Sequence, residues 1–193
     1  MSLIWQNSNE DDILETQKNM KKIIADTYRE LVIKNGVDKV SVAKLVKECK
    51  ISRTLFYYYF TDVFDVIIYH LEMDLDAAVK DALMEKNADT SLALFLERVM
   101  DNRKEITCVL NSKYRDDAER EMLKAASGYM RTLIEDRILR APVTTEELKF
   151  LTKALSYTVF GYIIDNKNAE AVDGRSFSHN LLKFTVGQFA KNV

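Results

Sequence analysis

Apolar residues recur at helical spacing along almost the whole chain. Met20, Ile23, Ile24, Thr27, Tyr28, Leu31 and Val32 follow an i, i+3, i+4, i+7, i+8 rhythm and predict a helix over 13–35 that Gly36 stops. Val42, Leu45, Val46 and Cys49 predict a short second helix, and Phe56 and Phe60 mark the inner side of a short third. From Thr61-Asp62 a longer pattern, Val63, Val66, Ile67, Leu71, Leu75, Ala78, Val79 and Ala82, runs to 85 or 86, where Asn87-Ala88-Asp89 breaks it. Further helices are predicted from Thr90 or Ser91 to 99 or 100, over 104–110, and over 116–140 with Pro142 as its stop. Thr144 and Glu147 form a capping box, with Val143 and Leu148 as its hydrophobic staple, for a helix reaching 165 or 166. That helix is apolar on most of its faces, which predicts burial on two sides, and Gly161 inside it suggests close approach of another helix. A last helix is expected over 177–191. Strand-like alternation is scarce, and one proline and five glycines in 193 residues leave long helices uninterrupted, so the expected fold class is all-α.

The segment from Gly36 to Phe60 carries its own punctuation. Ser41 and Ser52 are both placed to cap helices, because a serine hydroxyl accepts from a free N–H of the first turn. Two short helices joined across Lys50-Ile51 form a helix-turn-helix, the geometry that lays its second helix in a DNA major groove. On that helix Arg53, Thr54, Tyr57 and Tyr58 fall away from Phe56 and Phe60. Three consecutive tyrosines cannot all be buried. They would suit the aromatic stripe of an ordinary bundle, but the flanking caps favour a surface in which hydroxyls meet phosphates and Arg53 or Thr54 reaches base edges.

The run Gly36-x3-Val40-Ser41-Val42-x2-Leu45-x6-Ser52-Arg53-x2-Phe56-Tyr57-x-Tyr59-Phe60, preceded by a helix, resembles the DNA-binding domain of TetR-family transcriptional regulators. The resemblance covers about 50 residues. It implies an all-helical homodimer with an N-terminal three-helix DNA-binding domain over 13–61 and a larger helical effector-binding and dimerisation domain over 62–193. It places Tyr57 at a phosphate-contacting position and Thr54 and Leu55 at base-facing ones. The DNA-facing set expected on these grounds is Lys18, Ser41, Val42, Lys44, Ser52, Arg53, Thr54, Leu55, Tyr57, Tyr58 and Thr61. Two positions depart from the family. A glycine is usual where Lys50 stands, so Lys50 is expected in a left-handed turn at a cost of about 1 kcal/mol. A lysine is usual where Val63 stands, so Val63 is expected either facing the DNA backbone or packed under Phe60.

Charge supports the division. Residues 16–61 hold ten Lys or Arg against four acids, a balance of +6, so with a net charge of −2 the remainder carries −8. A basic head on an acidic body is the footprint of a phosphate-binding module joined to something else. Cys49 and Cys108 lie far apart in apolar contexts and are expected to be free thiols in a reducing cytoplasm. No signal peptide and no apolar run of the about 18 residues a membrane span needs is apparent.

Enzymatic motifs (GxSxG, the P-loop, GxGxxG, HExxH) are missing, and no cofactor is expected. His70 and Glu72 point away from each other on a helix, so no metal site is expected there, and His70 is read as an interior residue. Adaptable apolar residues of the body that could line an effector pocket are Tyr69, Met73, Met100, Tyr114, Met130, Tyr157 and Phe160, each read as plain core ahead of a pocket wall. Dimerisation is assigned to Leu155, Val159, Gly161, Tyr162, Leu181, Phe184 and Phe189. The expected function is a DNA-binding regulator, a repressor on a palindromic operator, with a small-molecule effector left open. The alternative of another class is a helical adaptor that binds a protein partner.

Overall fold

A computed structural model describes residues 3–138 and 143–189, with side chains over 15–138 and 143–185. All its regular elements are helical: α1 (Leu3–Asn35), α2 (Val42–Glu48), α3 (Arg53–Tyr59), α4 (Val63–Met84), α5 (Ala88–Asp101), α6 (Arg103–Leu110), α7 (Arg115–Leu133), α8 (Thr145–Asn166) and α9 (Gly174–Phe189). The chain divides into two compact units, Met1–His70 and Leu71–Val193, called head and body below. The division falls inside α4, two turns after the helix start that marked the expected boundary.

In the head, α1 buries Ile24, Ala25, Tyr28 and Val32. It begins well ahead of residue 13, because the acidic stretch Glu10-Asp11-Asp12 holds neither proline nor glycine to break it. It ends where Gly36 takes φ 81 and donates its N–H to the Val32 carbonyl at 2.7 Å. A 3-10 turn over Val37–Lys39 leads to Ser41, whose Oγ accepts from the Lys44 N–H at 3.3 Å and so caps α2.

The far end of α2 is a Schellman turn. Ile51 N–H reaches the Val46 carbonyl at 3.1 Å and Lys50 N–H the Lys47 carbonyl at 3.2 Å, which requires Lys50 at φ 54. The left-handed lysine expected from the sequence is therefore present, among the described residues the one non-glycine with positive φ. Its Cβ crowds the following carbonyl oxygen, a strain glycine lacks. Lys50→Gly is expected to raise head stability by about 1 kcal/mol, read as a higher denaturation midpoint. An unchanged or lower midpoint would show that the turn is unstrained.

In the body, α5 packs against α9 and α7 against α8. Leu92, Phe95, Leu96, Met130, Leu133 and Val159 are buried between them. Asn87, read from sequence as part of a break, in fact caps α5 by accepting from the Asp89 N–H at 2.8 Å, so the helix starts earlier than Thr90. Gly174 opens α9 ahead of the expected Phe177; a Cβ there would lie 3.3 Å from Leu96 Cβ, so glycine permits the close approach of α9 to α5. Thr144 and Glu147 make the capping box of α8. Pro142, the expected stop of α7, lies outside the described residues. Among them α7 passes at Ile134 into a π turn, Ile134–Ile138.

That turn sets Arg137 over the C-terminal end of α4. Arg137 donates to the Leu83 carbonyl at 2.7 Å and to Ser91 Oγ at 3.3 Å, while Ser91 Oγ donates to the Ala82 carbonyl at 2.7 Å. A cation and a hydroxyl thus satisfy carbonyls that a helix end leaves free. Tyr129 joins the group, its Oη 3.0 Å from Ser91 Oγ and its ring stacked on Phe95 at 4.3 Å. Burial pushes its hydroxyl pKa up to about 12, against the lowering effects of Ser91 and Arg137, so it stays protonated at any physiological pH. None of the described helices is long and apolar enough to cross a membrane.

Candidate nucleic-acid interface

The recognition surface is built on one turn chemistry and one buried ring. Ser52 Oγ accepts from the Leu55 N–H at 3.0 Å and starts α3. Phe56 anchors the inner side with no exposed surface, and Phe60, just past the helix, is buried against it with ring centroids 6.0 Å apart. With that side fixed, Arg53, Thr54, Tyr57 and Tyr58 are all exposed, Tyr57 by 57% and Tyr58 by 66%. Leu55 and Tyr59 are half-buried. The Tyr57 ring stands edge-on to Phe56 at 5.5 Å and Tyr58 edge-on to Tyr59 at 4.9 Å, so both exposed rings lean on less exposed ones.

Around α3 the other expected contacts fall into two groups. Lys18, Ser41, Ser52 and Thr61 are exposed, and Val42 and Lys44 half-buried. Lys22, by contrast, is held by Asp26 at 2.6 Å, and Lys21 lays its Nζ over the Phe60 and Tyr69 rings at 5.4 and 5.3 Å. Nothing in the sequence singles out Gln17, yet its Nε2 donates to Tyr58 Oη at 2.9 Å across 41 positions. A contact between α1 and α3 leaves no periodic signal.

Of the two placements open to Val63, the structure shows the buried one. It does begin α4, but it is only 6% exposed and belongs to the buried set. Acids also bond amides around that helix start. Asp62 Oδ1 accepts from the Asp65 N–H at 2.9 Å, and Asp65 Oδ2 accepts from the Thr61 N–H at 2.8 Å and its hydroxyl at 3.2 Å. Two carboxylates at a helix N-terminus complement its positive partial charge and would repel a phosphate there.

The effector candidates differ in burial. Tyr69 stands edge-on to Phe60 in the head at 5.5 Å, Met100 and Met130 are buried, Met73, Tyr114 and Phe160 half-buried, and Tyr157 is 54% exposed. A cavity of about 20 Å³ lies instead among Leu71, Asp74, Leu75, Val99, Asn102, Ile106 and Met122, none of them in that set. Beside it Asp74 and the buried Glu105 bring carboxylate oxygens within 4.8 Å of each other. Cys49 and Cys108 are free and half-buried; burial pushes both thiols up, and Glu48 and Glu105 respectively add to it.

Of the dimer candidates, Leu155 and Val159 are buried in the body's own core, and Tyr162 is stacked on Phe177 at 3.9 Å. Gly161 and Leu181 are half-buried, Phe184 is 69% exposed, and the Phe189 side chain lies outside the described residues. Among the described residues no helix makes the close approach expected at Gly161, since a Cβ there would meet nothing within 4 Å. The open face of α8 instead presents Phe150, 70% exposed, with Ala154 and Tyr157.

Residues 24–62 match the family model for bacterial regulatory proteins of the tetR family, spanning both helices of the motif. Three solved structures share the fold of most of the chain. A dihydroxyacetone kinase operon activator, DhaS, superposes with a TM-score of 0.69 at 18% identity, over 86% of this chain and 96% of that one. A transcriptional regulator of Aquifex aeolicus VF5 has a TM-score of 0.54 at 17% identity, over 88% and 98%. The fatty acid degradation regulator FadR of Bacillus halodurans has 0.55 at 14% identity, over 86% and 94%. A search of curated proteins returned no match. The helix-turn-helix is thus similar to that of the tetR family of bacterial regulatory proteins, and the fold around it is shared with solved transcriptional regulators.

Proposed function

We propose that this protein is a cytoplasmic transcriptional repressor that binds a palindromic operator as a homodimer, one α3 per half-site. The observation that carries this reading is the outward face of α3. Arg53, Thr54, Tyr57 and Tyr58 stand exposed on a helix whose other side is pinned by Phe56, at the end of the chain that holds its positive charge. Two heads related by a two-fold axis would read half-sites about 34 to 36 Å apart, or a multiple of that. A dimer blocks transcription simply by occupying DNA the polymerase needs. Since a solved relative of like fold is an operon activator, the sign of regulation is set by where the operator lies. An effector in the cavity beside Asp74 would have to widen it, because about 20 Å³ holds a single water.

The roles within the face are separable. Tyr57 carries a hydroxyl for a phosphate, which fixes position without reading sequence, whereas Thr54 sits in the first turn, where side chains reach base edges. In selections of random DNA by the full-length protein, Tyr57→Phe is expected to keep the consensus and bind about 3- to 10-fold more weakly. Thr54→Ala is expected to alter the preferred base at one position of each half-site. The reverse pattern would mean that α3 is rotated on the DNA, and no selected sequence from the unmodified chain would remove the reading.

A further inference from the structure

We propose that Gln17 of α1 is a positioning residue for Tyr58, holding its hydroxyl so that the phenolic proton is presented to a backbone phosphate of bound DNA. This rests on the DNA-binding reading above. The chemistry of the contact is one-directional. An amide NH2 can only donate, so in the 2.9 Å hydrogen bond from Gln17 Nε2 the Tyr58 oxygen is the acceptor. Its own proton is therefore left unspent, on a side chain 66% exposed and on the same helix as the other outward residues.

The ring is held as well as the tip. Tyr59 meets it edge-on, with centroids 4.9 Å apart and planes at 85°. One turn further along α1, Lys21 reaches the Phe60 and Tyr69 rings, so Gln17 lies on a helix face already fastened to this end of the motif. A tyrosine restrained at both places loses less rotational freedom when a phosphate arrives. Phosphate oxygens are the acceptors that such exposed hydroxyl donors meet on a duplex. Gln17 is neutral, so its contribution adds no ionic contact of its own; it acts through Tyr58.

The test is a double-mutant cycle on DNA affinity with the full-length protein and a sequence selected by the unmodified chain. Gln17→Ala is expected to weaken binding about 3- to 10-fold, with the consensus, the salt slope and the melting temperature unchanged because the hydrogen bond it removes is exposed. Tyr58→Phe is expected to weaken it at least as much, and adding Gln17→Ala to Tyr58→Phe to cost nothing further. Equal losses in both backgrounds would show that Gln17 touches DNA itself, and no loss in either would show that the contact is idle; each overturns the proposal while the DNA-binding reading stands. A chain that selects no DNA overturns both.

Discussion

Replacing Val63 with lysine is expected to lower the stability of the head by about 2 to 4 kcal/mol, and to leave the salt dependence of DNA binding as it was. Val63 is 6% exposed at the first position of α4, so the substitution either buries an ammonium group or drags the helix start outward. The ammonium would also sit at a helix N-terminus, where the partial charge is positive. Asp62 and Asp65 are near enough in sequence to attract it, yet exposed carboxylates repay little of a buried charge. Val63→Leu, which keeps the site apolar, is the control and is expected to cost less than about 1.5 kcal/mol. Thermal melting of the three proteins reads the first effect. A log K against log salt plot reads the second, since a new phosphate contact would steepen it by roughly 0.9 per subunit. A lysine variant with an unchanged melting temperature and a steeper slope would put Val63 on the DNA side after all.

Val63 also illustrates what could be read without a structure. The spacing Val63, Val66, Ile67 already placed it on the buried stripe of α4, but resemblance to relatives with a lysine there pulled the expectation outward; in the structure packing decides. Local signals served well. Ser41, Ser52 and Thr144 cap the helices they precede, and Lys50 takes the left-handed turn, because each depends on residues within one or two turns. Distant contacts left no such trace. The hydrogen bond of Gln17 to Tyr58 and the reach of Arg137 from a π turn to the Leu83 carbonyl join elements far apart in sequence. For the apolar residues of the body, periodicity said that they face inward but not whether they meet a neighbour, a ligand or a second chain. Leu155 and Val159 proved to meet neighbours.

Charging the open face of α8 is expected to abolish dimers, and with them most of the affinity for a two-half-site operator. Phe150, Ala154, Tyr157 and Gly161 are spaced four, three and four apart, which lines them along one side of the helix. Phe150 and Tyr157 are 70% and 54% exposed, and among the described residues nothing comes within 4 Å of a Cβ at Gly161, so this side is left open by them. Exposed aromatics aligned with a glycine suit a two-fold contact in which the same stripe of each copy meets the other. Phe150→Glu with Tyr157→Glu sets four carboxylates into that contact while disturbing no buried residue, so the fold and melting of the single chain are expected to persist. Sedimentation at micromolar concentration is expected to change from dimer to monomer. Operator affinity is expected to fall by about 100-fold or more, because the second head no longer binds at the high effective concentration that tethering provides. Gly161→Leu supplies an independent reading: among the described residues the space around it is open, so weaker dimers in that variant point to a contact between chains. Dimers that survive both variants would move the interface off α8, and an operator affinity unchanged in a proven monomer would show that one head suffices.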